Sequence, residues 1–402
     1  MSQNYYIVSL PIAPFPATEI ASLAAKNIRA QIKGSKVVQY PLVDGGEGTI
    51  EQLITSSLGS FLEVEATAAS GEQLIVPLGF AGEGGSIGVI EMRAIAEAPQ
   101  ASAINLQKQT KKNRLGFSGT TFGIGELIAD ALDEGAFSVI LGWDEPLAKD
   151  AGFGMAQALG IKFLDSAGKE LDFKSETPLS EVQSVDLSSR SFKLLSSKFF
   201  IARSEAVRNR KFERQVSVDE TLFENELARI ASLLKKENNI TIDLGKVHFG
   251  GSGIEFGLSA FLNSEFKEGA PLVLEASNIR ATLADKGGTI IFFAEKLEDI
   301  ASDRAALASR EIVRISMECN IPMIAIVNES VKPASESRYK KKLPLLQQVY
   351  CLADVPLFFA PLAADAPHSE LRRYFSARLE KLIGLKSDEL KNVEALPGIV
   401  LT

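Results

Sequence analysis

The stretch Val43-Asp44-Gly45-Gly46-Glu47-Gly48-Thr49 brings three glycines, two carboxylates and a hydroxyl into seven residues. Before it, Val37-Val38-Gln39-Tyr40-Pro41-Leu42 reads as a short apolar strand; after it, Ile50, Leu53, Ile54 and Leu58 recur at helical spacing. The stretch is therefore a strand-to-helix turn. Its glycines can take positive φ and let a ligand come against the backbone, and Glu47 and Thr49 stand where the first amides of a helix look for acceptors. Asp44 is left at the carboxyl end of the strand, the edge at which open α/β sheets bind ligands. A glycine-rich helix start with one capping residue is the plain alternative, but a cap needs neither the second carboxylate nor the third glycine. The turn is expected to be a ligand site.

Asp44-Gly45-Gly46-Glu47-Gly48-Thr49 also resembles the signature Ala-Asp-Gly-Gly-Glu-Gly-Thr of the bacterial glycerate kinases, which pass the γ-phosphoryl group of ATP to glycerate. Further segments follow in that family's order: Val89-Ile90-Glu91-Met92, Thr120-Thr121-Phe122-Gly123-Ile124-Gly125-Glu126, Asp150-Ala151-Gly152-Phe153-Gly154-Met155, Gly257-Leu258 and Ile321-Pro322-Met323-Ile324-Ala325. The resemblance implies a glycerate-kinase-like fold, in which a Rossmann-like domain and a second α/β domain face each other across a cleft. It also implies that Asp44 and Asp150 are the catalytic carboxylates. By the same likeness Gly45, Gly46, Glu47, Gly48, Thr49, Thr120, Thr121 and Glu126 contact a small hydroxy acid, Gly152, Gly251 and Gly253 contact ATP, and Asp150 holds Mg²⁺.

Departures from the family pattern fall on the residues that would handle phosphate. The family's first loop, Ala-Pro-Asp-Ser-Phe-Lys-Gly-Ser, is shortened here to Pro11-Ile12-Ala13-Pro14-Phe15-Pro16 and has lost its lysine. A Gly-Gly-Ser-Ala-Thr-Asn-Asp-Gly-Gly loop is replaced by Trp143-Asp144-Glu145-Pro146-Leu147-Ala148-Lys149-Asp150-Ala151, putting two acids and a proline where an anion needs donors. The family's Asp-Val-Asp-Asn-Pro-Leu run is Arg203-Ser204-Glu205-Ala206-Val207-Arg208, and its Gly-Glu-Gly-Arg-Leu-Asp-x-Gln loop is Phe293-Ala294-Glu295-Lys296-Leu297-Glu298-Asp299-Ile300. Phosphoryl transfer rests on positioning and charge neutralisation, so losing these groups removes the catalytic terms themselves.

Composition excludes several classes. With 402 residues, 46% of them hydrophobic, the chain can bury two cores, and a net charge of −8 carries no nucleic-acid footprint. The run Tyr339-Lys340-Lys341-Lys342, within a serine- and lysine-rich stretch from 328 to 343, reads as a solvated loop. No apolar stretch reaches membrane-spanning length and the first residues lack a charged and apolar leader, so a cytoplasmic protein with no membrane or nucleic-acid partner is expected. Oligomeric state stays open, a homo-oligomer included. Cys319 and Cys351 are too few for a disulfide framework and read as buried thiols. Of the two histidines, His248 precedes the glycine-rich Phe249-Gly250-Gly251-Ser252-Gly253 and His368 begins a C-terminal helix; both read as structural.

The elements that must position these residues change pattern twice. Tyr6 to Leu10, a helix from Thr18 to Ile32 and the strand before Asp44 make a βαβ start. From Phe61, alternating Leu62-Glu63-Val64-Glu65 and Leu74-Ile75-Val76-Pro77-Leu78 read as an antiparallel hairpin. Strand–helix alternation resumes with Thr289-Ile290-Ile291-Phe292-Phe293 and Met323 to Val327. The expected fold is α/β, with residues 1–60 and 271–402 forming a discontinuous, doubly wound parallel-sheet domain and a mixed α/β domain, 61–270, inserted into it.

Two functions remain open on these grounds. One is a weak or altered kinase using ATP and Mg²⁺ on glycerate in the interdomain cleft; the other is an inactive paralogue that keeps a small-acid site or serves as a regulatory partner. Thr120 and Thr121 fit either, because they could equally cap the helix that follows them.

Overall fold

The computed structural model describes residues 3–95, 119–143, 148, 150–174, 179–204, 207, 218–244, 253–302, 305–354 and 368–391. Contacts divide the chain into two units: Met1–Asp44, Thr55–Ser57 and Ala270–Thr402 form the first, Gly45–Ile54 and Leu58–Gly269 the second. The first chain crossing therefore falls between Asp44 and Gly45, ahead of the position near residue 60 where the sequence pattern changes. The reason is local packing of the glycine-rich turn onto the second unit's sheet, described below.

In the first unit the chain opens with β1 (Asn4–Ser9), the helix Ala17–Gln31 and β2 (Lys36–Pro41). The second unit contributes β3 (Ser60–Thr67), β4 (Gln73–Ala81), β5 (Ile87–Glu91), β6 (Ser138–Trp143), β7 (Lys162–Leu164), β8 (Ser184–Asp186), β9 (Lys198–Arg203) and β10 (Glu265–Glu268). The chain then returns to the first unit as β11 (Thr289–Ala294), β12 (Met323–Val327) and β13 (Leu346–Cys351).

The first sheet has the order β13-β12-β11-β1-β2 and every pairing is parallel. Its inner strands β1, β11 and β12 are buried, largely apolar runs because both faces are covered. Tyr5, Ile7, Ile291, Phe293 and Ile324 join one core with the helices Ala17–Gln31 and His368–Lys391; Tyr6, Val8, Ile290, Phe292 and Ala325 join another with Ile312 and Ile315 of the helix Leu307–Glu318. The sheet is doubly wound, and its strand order reverses between β1 and β11.

The second sheet, β10-β9-β6-β5-β4-β3, is mixed: β3-β4 and β4-β5 are antiparallel, the other three pairs parallel. Phe153, Phe163, Phe173, Phe256 and Phe261 form a ring cluster in a neighbouring core of the same unit, with centroid separations from 4.5 to 6.2 Å.

Two expectations change here. The basic run lies in a helix, Pro333–Lys342, rather than a loop: Pro333 supplies a preset first-turn φ, and Glu336 pairs with Lys340 one turn on at 2.7 Å. Cys319 and Cys351 are free thiols but half-buried. Among the described residues no helix is long and apolar enough to cross a membrane.

Candidate functional site

The turn is built onto the carboxyl ends of three strands of the second sheet. Glu91 of β5, Gly142 of β6 and Ala202 of β9 stand in one row across the sheet. Gly45, with φ +98°, lies so close that a Cβ there would sit 2.3 Å from the Ala202 carbonyl oxygen, and a Cβ on Gly142 would sit 2.3 Å from the Gly45 carbonyl oxygen. Glu91 Oε1 accepts from the Ile50 amide at 2.9 Å, satisfying the first turn of the helix Thr49–Ser57. Glycine here is required by backbone-to-backbone approach as well as by φ.

That arrangement redistributes the expected roles in the turn. Gly48 is the helix N-cap in a left-handed conformation, and no side chain of the turn caps the helix. Thr49 is buried and its hydroxyl donates back to the Gly46 carbonyl at 2.7 Å, closing the turn. Glu47 is exposed and ion-paired to Arg93 at 3.1 Å. Asp44 is half-buried at the end of the incoming strand segment. Glu91 and Arg93 were not assigned roles from the sequence. Glu91 did carry a signal, an acid closing an apolar strand; nothing ties Arg93 to a residue 46 positions earlier.

The second group, Thr120, Thr121, Glu126, Asp150 and Gly152, is also drawn together, into a set of internal hydrogen bonds. Asp150 is 3% exposed. Its Oδ2 accepts from the Thr121 amide (2.8 Å), the Thr121 hydroxyl (2.9 Å) and the Gly154 amide (3.0 Å), and its Oδ1 from the Gly152 amide (3.0 Å). Burial pushes this carboxyl up, and the four donated hydrogen bonds pull the other way. The Thr121 hydroxyl in turn accepts from the Met155 amide, and Thr120 donates its hydroxyl to the Phe173 carbonyl. Glu126 accepts from the Thr67 amide at 2.7 Å, fixing the helix Phe122–Asp133 to the end of β3. Asp150's oxygens thus orient the starts of two helices, Phe122–Asp133 and Phe153–Ala158.

Of the glycines expected to meet a cofactor, Gly152 and Gly253 lie close against protein atoms. A Cβ on Gly152 would lie 2.9 Å from the Cα of Gly257, and one on Gly253 would lie 2.7 Å from the Phe223 ring. Both allow the helix Ile254–Leu262 to pack closely, and Glu255 and Phe256 on that helix are buried. Gly251, His248 and residues 144–147 and 149 lie outside the described residues.

A doubly wound parallel sheet, a mixed sheet in a second unit and a glycine-rich strand-to-helix turn at the carboxyl edge define a two-unit α/β protein. Residues 14–207 match the model of the glycerate kinase family. The chain is 30% identical over 281 residues to glycerate 2-kinase of Escherichia coli K12, spanning 67% of this chain and 71% of that one. It is 29% identical over 280 residues to glycerate kinase of Bacillus subtilis 168, spanning 67% and 70%. In fold it matches the crystal structure of putative glycerate kinase 2 from Salmonella typhimurium LT2 with a TM-score of 0.69 at 22% identity, covering 98% of this chain and 100% of that one. The chain belongs to the glycerate kinase family.

Proposed function

We propose that this protein binds a small hydroxy acid at the Asp44–Thr49 turn and has lost most of the capacity to phosphorylate it. The observation that carries this reading is the loop after β1, where the first unit's sheet would otherwise offer donors to phosphate. Pro11, Pro14 and Pro16 have no amide hydrogen; the Leu10 amide donates to the Phe293 carbonyl at 2.9 Å, and the Ile12 and Phe15 amides donate to each other's carbonyls at 3.1 and 2.7 Å. Ile12 and Phe15 are themselves buried. These residues do not fit a triphosphate.

Glycerate chemistry is the reading inherited from the family, and each missing preorganised donor removes about 3 kcal/mol of transition-state stabilisation. ADP release measured with Mg-ATP and D-glycerate should therefore lie several orders of magnitude below a typical enzyme turnover of roughly 10 s⁻¹. Titration with Mg-ATP should give no micromolar affinity. Ordinary turnover, or micromolar ATP binding, would overturn the loss and leave a working kinase.

The acid-binding half has its own test. Glu47 is exposed, so Glu47→Gln removes a surface ion pair worth at most about 1 kcal/mol and should barely move the melting temperature. D-glycerate affinity should fall in Glu47→Gln and Asp44→Asn. Unchanged affinity in both would remove the turn as the ligand site.

A further inference from the structure

The second unit holds a cavity of about 640 Å³ at the amino ends of β9 and β10, the edge of the sheet opposite to the Asp44–Thr49 turn. Lys198, the first residue of β9, lies on its wall; Ala202, the residue under Gly45, is four positions along the strand and roughly 13 Å away. The cavity is therefore separate from the turn. Its charge is one-sided: Arg190, Lys198 and Lys267 share the wall with a single carboxylate, Glu265, in a chain whose net charge is −8. Glu265 is 3.7 Å from Lys267, whose ammonium also sits 4.5 Å from the centre of the Phe200 ring. Arg190 is held through Nε, which donates to the Leu187 carbonyl at 3.2 Å, and neither it nor Lys198 makes an ion pair among the described residues. The remaining two NH₂ groups of Arg190 form the fork that matches the oxygens of a phosphate or carboxylate.

The rest of the wall accepts hydrogen bonds. The last four carbonyls of a helix have no partner inside it and point along its axis, and the four residues that end the helix Ile254–Leu262, 259–262, all line the cavity. Asn263, which caps that helix, and Asn239, which follows the helix Val218–Asn238, line it too, each at positive φ. These carbonyls carry the negative end of the helix dipole, so a bare anion gains at the cations and loses at the helix end. A ligand that brings an anion to Arg190 and Lys198, and uncharged hydroxyl donors to the carbonyls and Glu265, gains at both.

We propose that this cavity binds a phosphorylated sugar, its phosphate held by Arg190 and Lys198 and its hydroxyls donating to the carbonyls of residues 259–262 and to Glu265. The site does not depend on acid binding at the Asp44–Thr49 turn.

Ribose 5-phosphate and glucose 6-phosphate, each beside its unphosphorylated sugar and beside inorganic phosphate, are titrated calorimetrically into the wild-type chain, Arg190→Gln and Lys198→Gln. One sugar phosphate should bind at least about tenfold more tightly than its sugar and than inorganic phosphate, and each substitution should weaken it by about tenfold, the scale of a hydrogen bond to a charged group. Lys198 is exposed, so Lys198→Gln should melt with wild type. The proposal is overturned if neither sugar phosphate binds at millimolar concentration, if inorganic phosphate binds as tightly as both, or if affinity survives in Lys198→Gln. A lowered melting temperature in Lys198→Gln with unchanged affinity also overturns it, because the cations then serve only the helix ends. Should Arg190→Gln fail to fold, the wild-type comparison and Lys198→Gln still decide.

Discussion

Replacing Asp150 by alanine should lower the melting temperature of the second unit's transition by on the order of 10 °C. The carboxylate takes four hydrogen bonds, three from backbone amides and one from a hydroxyl, at 2.8 to 3.0 Å, within a site that is 3% exposed. Alanine leaves those donors buried without acceptors, a defect costing roughly 3–5 kcal/mol. Asparagine restores only part of the loss. Its oxygen can replace Oδ2 and accept from Thr121 and Gly154, but its NH₂ then faces the Gly152 amide, donor against donor. The expected order of melting temperatures is wild type, Asp150→Asn, Asp150→Ala, read by circular dichroism. A catalytic or metal-holding Asp150 with no structural duty would give the opposite: three equal melting temperatures.

This network also shows where sequence reading succeeds and where it stops. The first sheet was legible because its inner strands are largely apolar runs and its helices have 3.6-residue periodicity, so β1, β2, β11 and β12 fall where the pattern places them. The hairpin was legible for the corresponding reason: alternation in Leu62 to Glu65 and in Leu74 to Leu78 appears as β3 paired antiparallel with β4. What a polar side chain does was not legible. Asp150 and Thr121 look the same in sequence whether they face a ligand or the backbone, because three of the four donors that claim Asp150 are backbone amides. Glu91 and Arg93 acquire their roles only when β5 is brought beside the turn, and spacing along the chain cannot show that.

Glycine in this chain has a similar double reading, and the turn gives the case with the sharpest consequence. Gly45→Ala should both destabilise the second unit and abolish ligand binding at the turn, whereas Glu47→Gln affects binding alone. A Cβ at Gly45 would stand 2.3 Å from the Ala202 carbonyl oxygen and 2.9 Å from the Ala202 Cβ, and φ is +98°. Neither obstruction is the end of a flexible side chain. The turn must therefore lift from the end of β9, adding to a left-handed backbone penalty of about 1–2 kcal/mol. Lifting it also pulls the Ile50 amide from Glu91 and moves Glu47 relative to Arg93. The melting temperature should fall by several degrees and D-glycerate titration should become flat. A variant that melts like wild type would mean that the turn does not rest on Ala202 as described, while one that melts lower yet binds normally would separate the packing from the site and move the acid-binding role elsewhere.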